Sequence, residues 1–174
     1  SYYLTGDVYA VIINAGNVTL DLNGFAVRIT NNSTPVSIGS SAPANNVTIR
    51  NGFVVGPGVR TPTGTNPWEA TYAGSFGYGI YVKSAAQSVH LENITISGFL
   101  SGIVCEASTE FSSARIQISH CMVRDCSGGG LDVRNAEIRD TTVQTCGGTG
   151  ITANLSTLEK VIVERSGGTG IYGS

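Results

Sequence analysis

Four charged residues could move or stabilise a proton in a reaction on a sugar: Lys83, Glu106, Asp132 and Arg134. Lyases and epimerases that act on uronic acids need a base to remove a proton beside the carboxylate. They also need a cation to stabilise the charge that develops. Hydrolases need two carboxylates at a set separation, and Glu106 with Asp132 would supply such a pair. The alternative interpretation is an exposed ladder of ion pairs, each worth about 0–1 kcal/mol.

Three aromatic residues could bind the faces of sugar rings: Trp68, Tyr72 and Tyr81. Trp68 and Tyr72 lie in residues 56–78, a stretch rich in Gly, Pro and Thr that shows no strand periodicity. A loop of this length in a compact domain usually has a function or is disordered, and its aromatic residues argue against disorder. The insertion is either a stacking platform for sugars or a loop that packs its own small core against the chain.

The elements that must position these residues follow from a repeat of twenty residues. Pairs of Gly with Leu or Ile recur at that interval at Gly130-Leu131, Gly150-Ile151 and Gly170-Ile171. So short a period, with Val and Ile spaced by two, does not suit a helical repeat and fits one turn of three short strands. A single turn cannot bury its apolar face, so the turns must stack. The sequence predicts an all-β parallel solenoid of about six turns, one domain over residues 1–174.

Alternation along the predicted strands decides which side chains leave the core, because successive strand residues point to opposite faces. Ile80 and Val82 are predicted to point inward. The same pattern in this turn and the next two places five side chains on one outer surface: Tyr81, Lys83, Glu106, Asp132 and Arg134. We therefore predict that this surface, flanked by the aromatic insertion, is the functional site.

The composition excludes several classes of function. Charged residues make up 13% of the chain, against a usual value of about 25%. The net charge is −2 and no basic face is present, which argues against a nucleic-acid partner. No apolar run reaches the ~20 residues needed to span a bilayer. We predict no membrane partner, no metal and no cofactor. Low charge with many Gly, Ser, Thr and Asn is common in secreted or cell-surface proteins that face carbohydrate.

The four cysteines are Cys105, Cys121, Cys126 and Cys146, and none has the CxxC spacing of zinc or redox sites. Cys126 and Cys146 occupy the same place in adjacent turns, so their Cα atoms should lie roughly 4.8 Å apart. That separation falls within the ~4.4–6.8 Å that a disulfide allows. The sequence leaves open whether they form a disulfide, and it favours a column of buried thiols.

The chain resembles a known superfamily at three features. These are the Gly-Ile starts of strands, the corner residues Asn23, Asn51 and Asn93, and the segment Val-Thr-Leu-Asp-Leu-Asn-Gly-Phe at residues 18–25. They are similar to the right-handed parallel β-helix (pectate-lyase-like) superfamily, and in particular to bacterial secreted proteins with a right-handed β-helix region. The resemblance implies a right-handed solenoid whose active site, if present, lies on the outer face of one sheet between the longer corners.

Members of that superfamily include lyases, polygalacturonases, epimerases and phage tailspikes, but the polygalacturonase motifs and the pectate lyase Trp-Ile-Asp-His signature are absent here. We therefore expect first a non-catalytic extracellular scaffold or carbohydrate-recognition module. The second expectation is a polysaccharide-active enzyme, a uronate lyase or epimerase before a glycoside hydrolase. The third is a spacer of a phage tail or a surface adhesin.

The sequence shows no amphipathic helix that could cap either end of the solenoid. An uncapped end exposes unpaired backbone groups that can bind another chain. We therefore expect the 174 residues to be a fragment of a longer β-helix, or the ends to be covered by end-to-end or trimeric association of copies.

Overall fold

The structure, a computed structural model, describes residues 1–63, 70–106 and 115–173. Every regular element in this part of the chain is a β-strand, and no helix long and apolar enough to cross a membrane occurs there. The strands are β1 (Tyr2–Tyr3), β2 (Val11–Ile13), β3 (Val18–Asp21), β4 (Ala26–Arg28), β5 (Val36–Ile38), β6 (Ala44–Val55), β7 (Val59–Pro62), β8 (Ala70–Ala73), β9 (Tyr78–Val82), β10 (Ala86–Ser97), β11 (Ser101–Cys105), β12 (Ile116–Ser119), β13 (Met122–Arg124), β14 (Leu131–Arg134), β15 (Ala136–Arg139), β16 (Thr142–Cys146), β17 (Ile151–Asn154), β18 (Thr157–Glu159), β19 (Ile162–Ser166) and β20 (Ile171–Tyr172).

The strands of the solenoid stack in parallel along three faces. The first face is a 7-stranded sheet in the order β2-β5-β9-β11-β14-β17-β20, which we call the front sheet. The second face, the side sheet, has the order β1-β3-β6-β10-β12-β15-β18. The third face, the back sheet, consists of β4, the ends of β6 and β10, and β13, β16 and β19.

Seven strands in the front sheet are separated by six turns of chain, and a typical turn supplies one strand to each face. The prediction of an all-β parallel solenoid of about six turns with three strands per turn is therefore confirmed.

The corner between the side and back sheets is made by single residues with a left-handed backbone. Asn51 and Asn93 have φ of 60° and 52°, so β6 and β10 bend sharply there without ending. Asn tolerates this conformation better than most residues because its short side chain can hydrogen-bond locally. Three residues take the same conformation in the later turns: His120, Asp140 and Lys160. The bend therefore does not depend on Asn alone.

The core consists of columns of aliphatic side chains, one from each turn. Ile80, Ile103, Leu131 and Ile151 form such a column on the front sheet and are almost completely buried. Ile171 continues the column but is 48% exposed, because no described residue stacks on its outer side. Burial in this molecule therefore depends on having a turn on both sides.

The insertion at residues 56–78 differs from the prediction because part of it is regular. β7 and β8 pair antiparallel, with Arg60 opposite Tyr72, and Tyr78 already belongs to β9. The strands have four residues each and β7 ends at Pro62, so they are too short for a clear period-two pattern. The amide of Gly58 donates to the carbonyl oxygen of Gly98 at 2.9 Å, which fastens the start of the hairpin to the corner between the back and front sheets.

All four cysteines are free and buried. Burial raises the pKa of the Cys105 thiol to about 12 and that of Cys121 to about 11. Contact with the Cys146 sulfur, followed by burial, raises the pKa of Cys126. Of the two alternatives left open by the sequence, the structure contains the column of buried thiols and no disulfide between Cys126 and Cys146.

Candidate functional site

The front sheet positions the predicted site residues through its register. Tyr81 in β9 is paired with Val104 in β11, and Val104 is paired with Asp132 in β14. Because paired residues of parallel strands point to the same face, these side chains form one outward column. Lys83 and Glu106 follow directly after β9 and β11 and start a second column beside it.

Tyr81, Lys83 and Glu106 form a closed cluster on this surface. The Tyr81 hydroxyl donates to Oε1 of Glu106, and the Lys83 Nζ donates to the Tyr81 hydroxyl at 3.1 Å. The same Nζ lies 3.5 Å from Oε1 of Glu106, which makes an ion pair. Both charged side chains are partly exposed, so the pair itself is worth about 0–1 kcal/mol. Its main consequence is that the three side chains hold one another in place.

The ring of Tyr81 is contacted by two neighbours. The Lys83 ammonium lies 4.3 Å from the ring centroid, in a cation–π arrangement. The Tyr78 ring is tilted at 47°, with its centroid 5.0 Å from that of Tyr81. Such contacts fix the orientation of an aromatic side chain before any ligand arrives. Tyr81 is therefore a rigid part of the surface.

Asp132 and Arg134 lie on the next turn and are exposed. Neither side chain makes a hydrogen bond or an ion pair with any residue in the described ranges, although both residues pair through their backbone in the front sheet. Glu106 forms its ion pair with Lys83, and no ion pair joins Glu106 to Arg134 among the described residues. The structure thus joins three of the five predicted surface residues and leaves a separate carboxylate and guanidinium beside them.

Tyr72 belongs to the hairpin and is half-buried. Its hydroxyl donates to the carbonyl oxygen of Thr145 at 2.9 Å, and burial raises its pKa. The hydroxyl is therefore used to fasten β8 to the solenoid. Trp68, the other aromatic residue predicted for sugar binding in the insertion, lies outside the described residues.

The side sheet carries a second polar cluster that sequence reasoning missed. His90 Nε2 lies 3.1 Å from Ser119 Oγ, and the Gln117 amide donates to Glu137 at 3.3 Å. The bond from Gln117 and the guanidinium groups of Arg115 and Arg139 lower the pKa of Glu137. Alternation along the sequence does predict that these residues point outward in successive turns. Because the turns differ in length, the sequence does not show which of these residues are strand partners.

Among the described residues, no group of three or more His, Cys, Asp or Glu side chains could hold a metal ion.

Comparison with known proteins identifies the family. No curated protein and no solved structure matches the chain. A family model described as right handed beta helix region matches residues 6–164. The match covers most of the chain and agrees with the stacked parallel sheets, so the protein belongs to the right-handed β-helix region family.

Proposed function

We propose that this protein is a non-catalytic carbohydrate-recognition module in which a rigid β-helix presents the front sheet to a polysaccharide. The observation that carries the proposal is the closed cluster of Tyr81, Lys83 and Glu106. A ligand that meets this cluster finds donors and acceptors already oriented, which lowers the entropy lost on binding.

The same cluster argues against proton transfer by its members. A general base must reach the substrate proton with a free lone pair, within about 2.6–3.2 Å. Oε1 of Glu106 already accepts from Tyr81 and lies beside the Lys83 ammonium. To act as a base through this oxygen, Glu106 would first have to release Tyr81 and Lys83. Recognition of a ligand uses the cluster as it stands, and this favours recognition over catalysis.

A polysaccharide suits this surface because the surface is long and charge-balanced. The outward columns of the front sheet run along the solenoid at about 4.8 Å per turn. Lys83 and Arg134 offer two cations, and Glu106 and Asp132 offer two carboxylates. Such a row can bond hydroxyl groups of successive sugars without selecting strongly for a charged chain.

A uronate lyase or epimerase is the second candidate, and Asp132 with Arg134 is the observation that favours it. Both side chains are exposed and unpaired among the described residues, so a carboxylate base and a charge-stabilising cation are available on one strand. A glycoside hydrolase is less favoured, because one member of its carboxylate pair, Glu106, is held by Tyr81 and Lys83.

A recognition role implies that the protein acts outside the cell or on its surface, and this location is part of the proposal. Should no glycan bind, the rigid stack of turns would remain suited to a passive spacer in a phage tail or adhesin.

The test is retention on a panel of polygalacturonate, alginate and neutral glycans in affinity electrophoresis, together with ultraviolet absorbance of unsaturated uronates. We expect retention without new absorbance. The variant Glu106→Gln should weaken retention by several-fold, whereas Gln144→Ala, on the outer face of the back sheet, should not. New absorbance that disappears in Asp132→Ala would replace the proposal with a lyase, and the absence of retention on every glycan would refute recognition.

A further inference from the structure

A groove of about 250 Å³ opens at the corner between the side and back sheets, away from the front sheet. Its lining consists of Gly24, Asn51, Gly52, Phe53, Asn93 and Thr95. None of these residues is charged, and the set combines one aromatic ring with two amides and a hydroxyl. The volume lies just below the ~300–1,000 Å³ typical of sites for drug-sized ligands, so the groove fits one small ring.

Phe53 is the unusual member of the lining because its side chain is 45% exposed. Alternation explains its direction: Gly52 and Val54 on either side are buried, so Phe53 must point out of the solenoid. Its strand partners on the two neighbouring turns are Ala26 and Thr95, which are too small to cover an aromatic ring. A face of the ring is thus left for a ligand.

The amides beside the ring are held in a ladder across turns. Nδ2 of Asn93 donates to Oδ1 of Asn51 at 3.0 Å. Nδ2 of Asn51 in turn donates to the Asp21 carboxylate, at 3.1 and 3.2 Å to its two oxygens. Asn93 is exposed at the outer end of this ladder. Its amide is therefore oriented before any ligand binds.

Gly24 leaves room on the other side of the groove. Its φ is +80°, and a Cβ placed there would meet nothing within 4 Å. The left-handed backbone favours glycine at this position, and the space beside it is open. An apolar face, fixed polar groups at its edge and an open approach are the usual parts of a small-ligand site.

We infer that this corner groove binds one uncharged pyranose ring. The C–H face of the sugar stacks on the Phe53 ring, and its hydroxyls bond the Asn93 amide and the Thr95 hydroxyl. An uncharged sugar is favoured because the lining offers no charge to pair with an acidic one. The inference rests on the proposed carbohydrate recognition for its ligand class but not for its location, which is a different face of the solenoid.

The test is a titration of the ¹⁵N-labelled 174-residue chain with the methyl glycosides of glucose, galactose and mannose, followed by NMR. We expect at least one of them to shift the amide signals of residues 24, 51–53 and 93–95. The variant Phe53→Ala should weaken this binding by about tenfold or more, because the stacking surface is removed. Phe53→Tyr keeps the ring and should bind as the parent does.

Phe76→Ala is the matched control, since Phe76 is 48% exposed but lies outside the groove, and it should bind like the parent protein. Glu106→Gln separates the two proposals: it should weaken retention at the front sheet and leave the corner titration unchanged. Corner shifts that persist in Phe53→Ala would overturn the inference. So would the absence of shifts with all three glycosides, or shifts that depend only on protein concentration, which would mean that a second copy covers the groove.

Discussion

The Asp21 carboxylate accepts hydrogen bonds from three residues in the described part of the chain. The backbone N–H of Asn23 donates to the carboxylate at 2.9 Å, and Nε of Arg50 also donates at 2.9 Å. The side-chain amide of Asn51 donates to its two oxygens at 3.1 and 3.2 Å. These donors stabilise the ionised form, and the backbone bond from Asn23 is the largest cause that lowers the pKa of Asp21. The carboxylate therefore ties the first Asn corner to the second.

This lowered pKa gives a prediction for the pH dependence of stability. A carboxyl group whose pKa is lower in the folded state stabilises the fold above the pKa of the unfolded chain. It loses that contribution as the pH falls through the folded value. We expect the free energy of unfolding to fall below about pH 4, the ordinary range of Asp. Urea unfolding over a pH series measures the loss, which should be smaller in Asp21→Asn.

Asp132→Asn provides the control for that series, because the Asp132 side chain makes no hydrogen bond to a described residue. Its pH profile should follow that of the parent protein. An Asp21→Asn profile identical to the parent would show that the bonds to Asn23 and Arg50 do not stabilise the fold.

Single residues also show how far the sequence could predict the site. The joint location of Tyr81, Lys83 and Glu106 followed from strict alternation around Gly-Ile strand starts. Phe53 and His90 were missed as site residues, because their strand partners lie 27 residues away on one side and 42 on the other, which hides the repeat. Alternation gives the direction of a side chain within one strand, but only the register between strands tells which side chains meet.

At the level of elements, a side-chain hydrogen bond fastens the hairpin of β7 and β8 to the solenoid. The hydroxyl of Tyr72 reaches Thr145, which lies several turns further along the stack. The position of this insertion could be predicted from the sequence, but its strand pairing could not, because short strands broken by Gly and Pro carry little periodic signal.

Tyr72→Phe should therefore loosen the hairpin and leave the solenoid folded. Loss of the hydrogen bond to Thr145 should lower the stability of the hairpin by about 1 kcal/mol. Amide hydrogen exchange should therefore become faster, but only in residues near the hairpin. Hydrogen exchange with mass spectrometry measures this, and Tyr172→Phe, in an exposed position, is the control. Faster exchange throughout the stack would mean that the hairpin stabilises the whole solenoid.

Two isoleucines at equivalent places in successive turns allow a matched test of the core. Ile151 is completely buried, whereas its strand partner Ile171 is 48% exposed. Ile151→Ala should lower the free energy of unfolding by about 2–5 kcal/mol, because it removes buried methyl groups and leaves a cavity. Ile171→Ala should cost well under half as much. Chemical denaturation of both variants decides this, and equal losses would indicate that another chain covers Ile171 in solution.

For the whole molecule, the two ends of the stack present matching features. Val11 in β2 and Ile171 in β20 are the two end members of the inward column of the front sheet, and both are less buried than the residues between them. Within the described residues, each of these strands pairs with a neighbour on one side only, and the backbone groups of its other edge have no partner there. Edges of this kind are templates for a further strand. The repeat that builds the core would thus continue if β20 of one copy met β2 of another.

We therefore predict concentration-dependent, end-to-end association, because joining two copies buries both apolar ends and pairs both edges. Size-exclusion chromatography with light scattering should give a mass that rises with concentration. Ile171→Lys should hold the protein as a monomer, because a charge would be buried at the junction. Tyr81→Lys, on the front sheet, should associate as the parent does. A strict monomer at every concentration would exclude this contact, and a fixed trimer would point to association through the sides of the solenoid instead of its ends.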